Sequence, residues 1–169
     1  MSMEVWDLYY PDGTPAGRQM VRGEAVPAGL CHLVGEVLVR HTDGDYLLMR
    51  RSLNKTMFPG MWEATAGGSA LAGEDALACI RRELREETGI EAEDFELVSR
   101  KVVRGDTLFC TWLCVTDWDK SAVTLQTGET DAFRWVNERE FIAYIHSDEI
   151  VNTQRERWMD WYREMGYLK

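Results

Sequence analysis

The sequence contains no apolar run long enough to span a bilayer. Its longest hydrophobic stretches are broken by Arg, Glu or Asp within about 10 residues, whereas a membrane-spanning helix needs about 20. The first seven residues, Met-Ser-Met-Glu-Val-Trp-Asp, have neither a basic start nor an apolar core, so they do not resemble a signal peptide. We therefore expect a cytoplasmic protein without a membrane partner.

Paired cysteines and an excess of positive charge are also missing. The four cysteines, Cys31, Cys79, Cys110 and Cys114, form no Cys-x-x-Cys pair, which favours buried free thiols over a zinc site. Lys and Arg number 19 against 29 Asp and Glu, which gives a net charge of −10. Because so acidic a chain lacks a broad cationic surface, we expect no duplex nucleic acid as a partner.

The apolar material that is present is enough for one core. The chain has 169 residues, of which 45% are hydrophobic, and no repeat or low-complexity tract divides it. This length and composition predict a single domain over residues 1–169 that needs no disulfide. Residues 1–30 are interpreted as an N-terminal arm, with a strand over 5–10, a turn over 11–15 and an extended stretch through Arg22.

Turn residues and apolar patterns predict the elements that follow. The predicted strands cover residues 32–40, 46–50, 95–103, 107–116 and 132–136. The first two are expected to form a hairpin around the turn at Asp43-Gly44. A Pro-Gly turn, a short strand and a glycine pair are expected within residues 57–68, and Asn137 is expected to cap a helix that runs through Phe141.

Residues 148–166 are predicted to form a C-terminal amphipathic helix. Val151, Trp158 and Met165 recur at a spacing of seven and share one apolar stripe with neighbouring aromatic residues. The other face mixes acidic and basic side chains, which is not typical of a helix lying on a membrane surface. The stripe therefore predicts packing in the core or in a homodimer.

The charged residues that point to chemistry lie on a helix predicted to begin near Glu74 and to stop at Gly89. At about 100° per residue, Glu83, Glu86 and Glu87 share one side of this helix. Such like charges repel by a few tenths of a kcal/mol per pair. Mg²⁺ would remove the repulsion, because it prefers oxygen ligands and leaves positions for substrate phosphate. The alternative is a solvated helix face stabilised by local Glu–Arg pairs.

The complete spacing of the segment favours the metal interpretation. The segment follows the pattern G-x5-E-x7-R-E-U-x-E-E-x-G-U, in which U is aliphatic. The matching residues are Gly68, Glu74, Arg82, Glu83, Leu84, Glu86, Glu87, Gly89 and Ile90. At residue frequencies of ~6–7%, a chance match in this chain is rarer than about one in a million. Residues 68–90 thus resemble the loop-helix-loop signature of the Nudix, or MutT-like, hydrolases.

This resemblance implies a fold, a reaction and a cofactor. The fold would be an α/β class, Nudix-type α/β/α sandwich with a mixed β-sheet between helices. Family members hydrolyse a nucleoside diphosphate linked to another moiety, or a related pyrophosphate, by metal-assisted attack of water on phosphorus. The implied partner is a small-molecule diphosphate substrate, and the implied cofactor is Mg²⁺, with Mn²⁺ as the alternative ion.

The resemblance also implies roles for individual residues. Glu83, Glu86 and Glu87 resemble the metal ligands, helped by the carbonyl of Gly67. Arg82 resembles the arginine that orients these carboxylates. Glu74 resembles an accessory acidic residue. The general base is left open between Glu129, in a loop after the motif, and Glu83.

The residues that would contact the substrate are predicted in less detail than the metal ligands. Arg50, Arg51 and Lys55 lie at a strand end and in the loop after it, where related enzymes often hold phosphate or base. Each could equally be ordinary surface charge. Trp62 is a candidate for stacking on a base, with packing in the core as the alternative.

Two other functions remain open on the sequence. His32-Leu33, Arg50-Arg51-Ser52 and the segment 57–62 also resemble isopentenyl diphosphate isomerases, which need an acidic Cys and a cluster of metal-binding histidines. Residues 64–69 contain neither a Cys nor a His. The second alternative is a nucleotide-binding sensor on the same fold that lacks catalysis.

Overall fold

A computed structural model describes residues 2–169 as nine strands and three helices. The strands are β1 (Val5–Tyr9), β2 (Pro15–Val21), β3 (Cys31–His41), β4 (Tyr46–Arg51), β5 (Trp62–Glu63), β6 (Thr65–Ser69), β7 (Asp94–Val103), β8 (Thr107–Thr116) and β9 (Thr130–Val136). The helices are α1 (Ala76–Thr88), α2 (Glu138–Ile145) and α3 (Asn152–Glu164). In this part of the chain no helix is both long and apolar enough to cross a membrane.

The long strand β3 organises the sheet. It pairs in parallel with β8 along its whole length, and antiparallel with β6 and, at its start, with β1. Strand β7 extends this part of the sheet beyond β8, and β4 carries β5 and β9 on its two sides. The predicted mixed sheet is therefore confirmed.

Residues of β3 alternate between two apolar layers. Val37 and Val39 pack with Ile80 and Leu84 of α1, whereas Leu38 packs with α2 and α3 on the opposite face. This alternation follows from the two-residue period of a strand. The predicted α/β/α sandwich is confirmed, with α1 on one face of the sheet and the other two helices on the other.

Helix α1 has clear start and stop signals. The Asp75 side chain accepts a hydrogen bond from the Ala78 N–H at 2.7 Å, so the helix begins two residues after the predicted Glu74. Gly89 ends it with a φ of 74°, a left-handed conformation that glycine adopts without strain. The predicted cap at Asn137 is also confirmed, because its side chain and that of Glu140 form a reciprocal capping box at the start of α2.

The C-terminal helix packs in the core of its own chain. Trp158 and Tyr162 are buried against Phe141 of α2, so this part of the stripe packs in the core. Met165, which was predicted to share the stripe, follows the last helical residue and is exposed. The helix covers Asn152–Glu164 and is therefore shorter at both ends than the predicted 148–166, and Tyr167 folds back over it, with its N–H bonded to the Tyr162 carbonyl.

The predicted hairpin of β3 and β4 is formed only at its turn. Arg40 and Tyr46 are the one pair that the two strands share. Beyond this pair, β3 pairs with β6 and β8. Strand β4 pairs instead with β5 and β9. The split opens a space between the two parts of the sheet. The predicted extended stretch in the arm is strand β2, which pairs with β1.

We expect the contact between α1 and the sheet to carry much of the stability. Leu84 is fully buried, whereas Leu53 is 71% exposed. Leu84→Ala should lower the free energy of unfolding by about 2–5 kcal/mol, because it removes buried methyl groups and leaves a cavity. Leu53→Ala, the same chemical change on the surface, should shift it by less than about 0.5 kcal/mol. Urea unfolding of both variants measures the difference, and equal effects would contradict this description of the core.

Candidate active site

The motif glutamates approach the edge strand β6 at its two glycines. The Gly67 N–H donates to Glu87 Oε1 at 3.3 Å. A Cβ atom added to Gly68 would lie 2.5 Å from Glu83 Oε1. On the neighbouring strand, a Cβ on Gly35, the register partner of Gly68, would lie 2.5 Å from a methyl carbon of Ile80, so this glycine lets the helix lie close to β3. Because Gly67 and Gly68 have no side chain, the carboxylates of Glu83 and Glu87 can lie next to the backbone of the sheet.

Arg82 ties the motif together. Its Nε and Nη2 donate to the two carboxylate oxygens of Glu74, at 2.6 and 3.0 Å. Its Nη1 donates to Glu83 at 2.7 Å and to Glu86 at 3.2 Å, and Nη2 also reaches the Ser69 carbonyl at 3.1 Å. One guanidinium thus holds three acidic side chains and the end of β6 in fixed positions.

This network shifts the protonation of its members. The hydrogen bonds to Glu74 raise the pKa of Arg82, so the arginine stays charged. Burial raises the pKa of Glu83, and the neighbouring Arg82 opposes that rise. Burial raises the pKa of Glu87 well above its usual range, and the charge of Glu83 adds to the effect. Two crowded carboxylates therefore lie where a further cation would be favourable.

A cavity of ≈180 Å³ opens beside Glu87, between the two parts of the sheet. Of the predicted site residues it brings together Gly67, Glu87, Arg51 and Glu129. Glu83 and Glu86 are bonded to Arg82 and do not line it. The cavity also contains residues that the sequence did not identify as functional, namely Glu36, Glu63, Thr65, Phe109 and Arg157.

Strand alternation places the predicted substrate residues of β4 and β5 on opposite faces of the sheet. Arg51 reaches the cavity, where it is bonded to Glu63 at 3.0 Å and to the Met57 carbonyl. Arg50 and Trp62 are register partners on the other face, so neither lines the cavity. The ring of Trp62 packs on the core and carries the guanidinium of Arg134 at 4.3 Å from its centre.

Lys55 does not line the cavity, but it is bonded to the candidate general base, Glu129, which does. Its Nζ is 2.5 Å from Glu129 Oε2, and the backbone of Ser52 also bonds to that of Glu129. The loop after β4 is therefore attached to the loop that precedes β9. Arg50, in contrast, forms its ion pair with Asp131 at 2.7 Å on the outer surface.

The missed residues have only weak signals in the sequence. Glu36 is the one acidic residue in the apolar strand β3, and a carboxylate there is unusual because burying it unpaired is costly. Its partner Arg157 lies on the polar face of α3, where nothing local distinguishes it from its charged neighbours. Residues 121 positions apart in sequence are brought together only by the fold.

A larger groove of ≈980 Å³ lies elsewhere, between the β1–β2 hairpin, β7, β8 and the start of α1. Its apolar floor includes Leu97, Leu108 and Trp112. None of the three clustered glutamates of α1 lines it. The smaller cavity beside Glu87 is therefore the candidate active site, because Glu87 of the motif meets Gly67 and Gly68 there.

The residues present fit Mg²⁺ as an ion that also binds substrate. The available donors are carboxylate and carbonyl oxygens, which Mg²⁺ prefers. Over residues 2–169 no three His, Cys, Asp or Glu side chains are arranged to hold a metal by themselves. Mg²⁺ commonly takes only one or two carboxylates and completes its shell with water and phosphate oxygens, so such a closed cage is not required.

Comparison with known proteins agrees with the motif. The family model of the NUDIX domain matches residues 33–162. A Nudix hydrolase of Listeria monocytogenes is 31% identical over 150 residues, which cover 88% of this chain and 89% of the relative. An isopentenyl-diphosphate Delta-isomerase of Corynebacterium diphtheriae is 29% identical over 129 residues, 69% of each chain. The crystal structure of the Deinococcus radiodurans protein DR0079 superposes with a TM-score of 0.67 at 20% identity and covers 86% of this chain and 90% of that one.

The two glycines of β6 are expected to differ in what they tolerate. A Cβ on Gly67 would lie 2.3 Å from the backbone oxygen of Gly35, which cannot move without separating β6 from β3. A Cβ on Gly68 would meet only the movable end of Glu83. Gly67→Ala should therefore lower the free energy of unfolding by about 1–3 kcal/mol more than Gly68→Ala does. Thermal unfolding of both variants checks this, and equal losses would show that the strand contact has been misjudged.

Proposed function

Because the chain belongs to the Nudix hydrolase family, we propose that it is a Mg²⁺-dependent pyrophosphohydrolase that cleaves a nucleoside diphosphate linked to another moiety. The observation that carries the proposal is the half-buried carboxylate of Glu87, which lies against the Gly67 backbone, next to Glu83, and lines a cavity of ≈180 Å³. Attack of water on phosphorus is the reaction that this arrangement supports best.

The metal would be held by the acidic side of α1. Glu83, Glu86 and Glu87 are the proposed ligands, together with the carbonyl of Gly67. When bound, Mg²⁺ supplies positive charge against the phosphoryl oxygens and polarises the attacking water. A diphosphate cannot approach these carboxylates on a protein of net charge −10 without such a cation.

The remaining residues position the reacting groups. Arg82 holds Glu83 and Glu86 through one nitrogen, which orients both carboxylates. Glu129 lines the cavity and is the proposed general base. It is also ion-paired with Lys55. Arg51 is the proposed phosphate contact.

The isomerase alternative is less well supported. His32 stacks on Trp6 at 4.6 Å and is bonded to the Asp106 carbonyl, away from the cavity. Burial raises the pKa of Cys79 to about 12, so this thiol is a poor proton donor. Incubation with isopentenyl diphosphate should yield no dimethylallyl isomer. Cytoplasmic location and a homodimer stay predictions, and analytical ultracentrifugation tests the second.

Metal dependence gives the most direct test. Purified protein should release phosphate or nucleotide from a panel of ADP-ribose, dinucleotides and nucleoside triphosphates in Mg²⁺, and EDTA should abolish the release. Glu87→Gln should reduce the rate at least about 100-fold, since a lost ligand costs as much as or more than a lost outer contact. Glu164→Gln, an exposed position on α3, is the matched control and should keep the full rate. Tight nucleotide binding without turnover would favour the sensor instead.

The assignment of the base has its own test. Glu129→Gln should lower kcat by about 10²–10⁴-fold and remove the acidic limb of the pH–rate profile, because the amide cannot accept the proton. Metal affinity, measured by calorimetry, should stay within about twofold of the original protein. If the acidic limb persists in Glu129→Gln, Glu83 becomes the candidate base.

A further inference from the structure

Arg157 reaches the candidate active site from the opposite layer of the sandwich. Its Nε and Nη2 donate to the two carboxylate oxygens of Glu36, each at 2.9 Å. The guanidinium also lies over the ring of Phe109, at 4.7 Å from its centre. Glu36 is itself held by the indole N–H of Trp158 at 2.9 Å. The arginine is thus fixed in position by two hydrogen bonds and one aromatic face.

One nitrogen of this guanidinium, Nη1, is not used in these contacts. Nη1 has no hydrogen-bond partner in the part of the chain that the structure describes, from residue 2 to residue 169. The side chain is 21% exposed and lines the same cavity as Glu87 and Gly67. A guanidinium is always charged, so this nitrogen offers a rigid, cationic N–H donor to the cavity.

The charges that line the cavity leave a need for cationic donors. Four carboxylates line it, those of Glu36, Glu63, Glu87 and Glu129, and the two cations among its lining residues are Arg51 and Arg157. Arg51 donates through Nε to the Met57 carbonyl and through Nη1 to Glu63, and its Nη2 has no partner within residues 2–169. An anion that enters therefore finds one unengaged nitrogen on each guanidinium, Nη2 of Arg51 and Nη1 of Arg157.

The size of the cavity limits what that anion is. A volume of ≈180 Å³ corresponds to about six water molecules. Pockets for whole drug-sized ligands span roughly 300–1,000 Å³. The cavity therefore holds a small anionic group and leaves a nucleoside outside.

We propose that Arg157 forms an anion subsite, which binds one phosphoryl group of the diphosphate at the α3 end of the cavity. Glu36 and Phe109 orient the guanidinium, and Nη1 makes the contact. The inference rests on the proposed function, since it concerns the same diphosphate. It adds a second point of attachment, so the phosphoryl group at Arg157 and the one near Glu87 are held from two layers of the fold.

The test must separate this role from the partnership with Glu36. Removing Arg157 alone would leave a buried carboxylate unpaired and destabilise the fold. Glu36→Gln is therefore the background, because its amide oxygen in the position of Oε1 still accepts hydrogen bonds from Arg157 Nε and Trp158, while only the bond from Nη2 is lost and no charge remains. The probe is methylenediphosphonate with Mg²⁺, which cannot be hydrolysed, and its affinity is measured by calorimetry.

Adding Arg157→Gln to this background should weaken binding of the probe at least about tenfold, since a charged hydrogen bond to the anion is lost. Adding Arg163→Gln instead removes the same charge from an exposed position of the same helix and should change affinity less than about twofold. Thermal unfolding should confirm that both double variants are folded. Equal affinities of the two would overturn the subsite.

Two further outcomes of this experiment also support or overturn the subsite. If Arg157→Gln fails to fold on this background, Arg157→Lys replaces it and should weaken binding at least about threefold, because one ammonium cannot hold residue 36 and the anion together. Unchanged affinity would then overturn the subsite. If the probe binds to no folded variant, the subsite and the proposed diphosphate site both fail. Binding that depends on Arg157 without hydrolysis of nucleotides would support the subsite and refute only the catalytic proposal.

Discussion

The candidate site depends on one guanidinium. Arg82 bonds to Glu74, Glu83 and Glu86 and to the end of β6, so it offsets the repulsion that these carboxylates would otherwise exert on one another. Without it the acidic side chains would be expected to turn to solvent, away from the cavity. The arginine also links α1 to the edge of the sheet. The same contacts therefore position both the helix and its carboxylates.

The sandwich supplies the second constraint, through strand β3. Alternate residues of this strand face opposite layers: Gly35 lies under α1 and permits its close approach, whereas Glu36 faces α3 and binds Arg157. A single strand therefore sets both the depth of the acidic helix and the orientation of the cation across the cavity. The separation of β3 from β4 beyond Arg40 provides the space in which these groups meet.

Much of this could be predicted from local patterns. Asp43-Gly44, Gly89 and Asn137 act within a few residues of themselves, so the turn and caps that they predict are found. The motif is also local, and it identifies the helix, its acidic face and the arginine. The predicted hairpin of β3 and β4 was too long. Strands that are neighbours in sequence are expected to pair unless other strands compete for them, and the competing strands here lie up to 90 residues away in the sequence.

The family, and with it the class of fold, could be recognised from residues 68–90, because a spacing of charges and glycines over 23 residues needs no distant contact to be recognised. Which basic side chains reach the cavity depends on contacts between distant elements. Strand alternation places Arg51 in the cavity and Arg50 and Trp62 on the other face, and the packing of α3 brings Arg157 to Glu36. These pairings are set by packing and register, which cannot be read from a local pattern of residues.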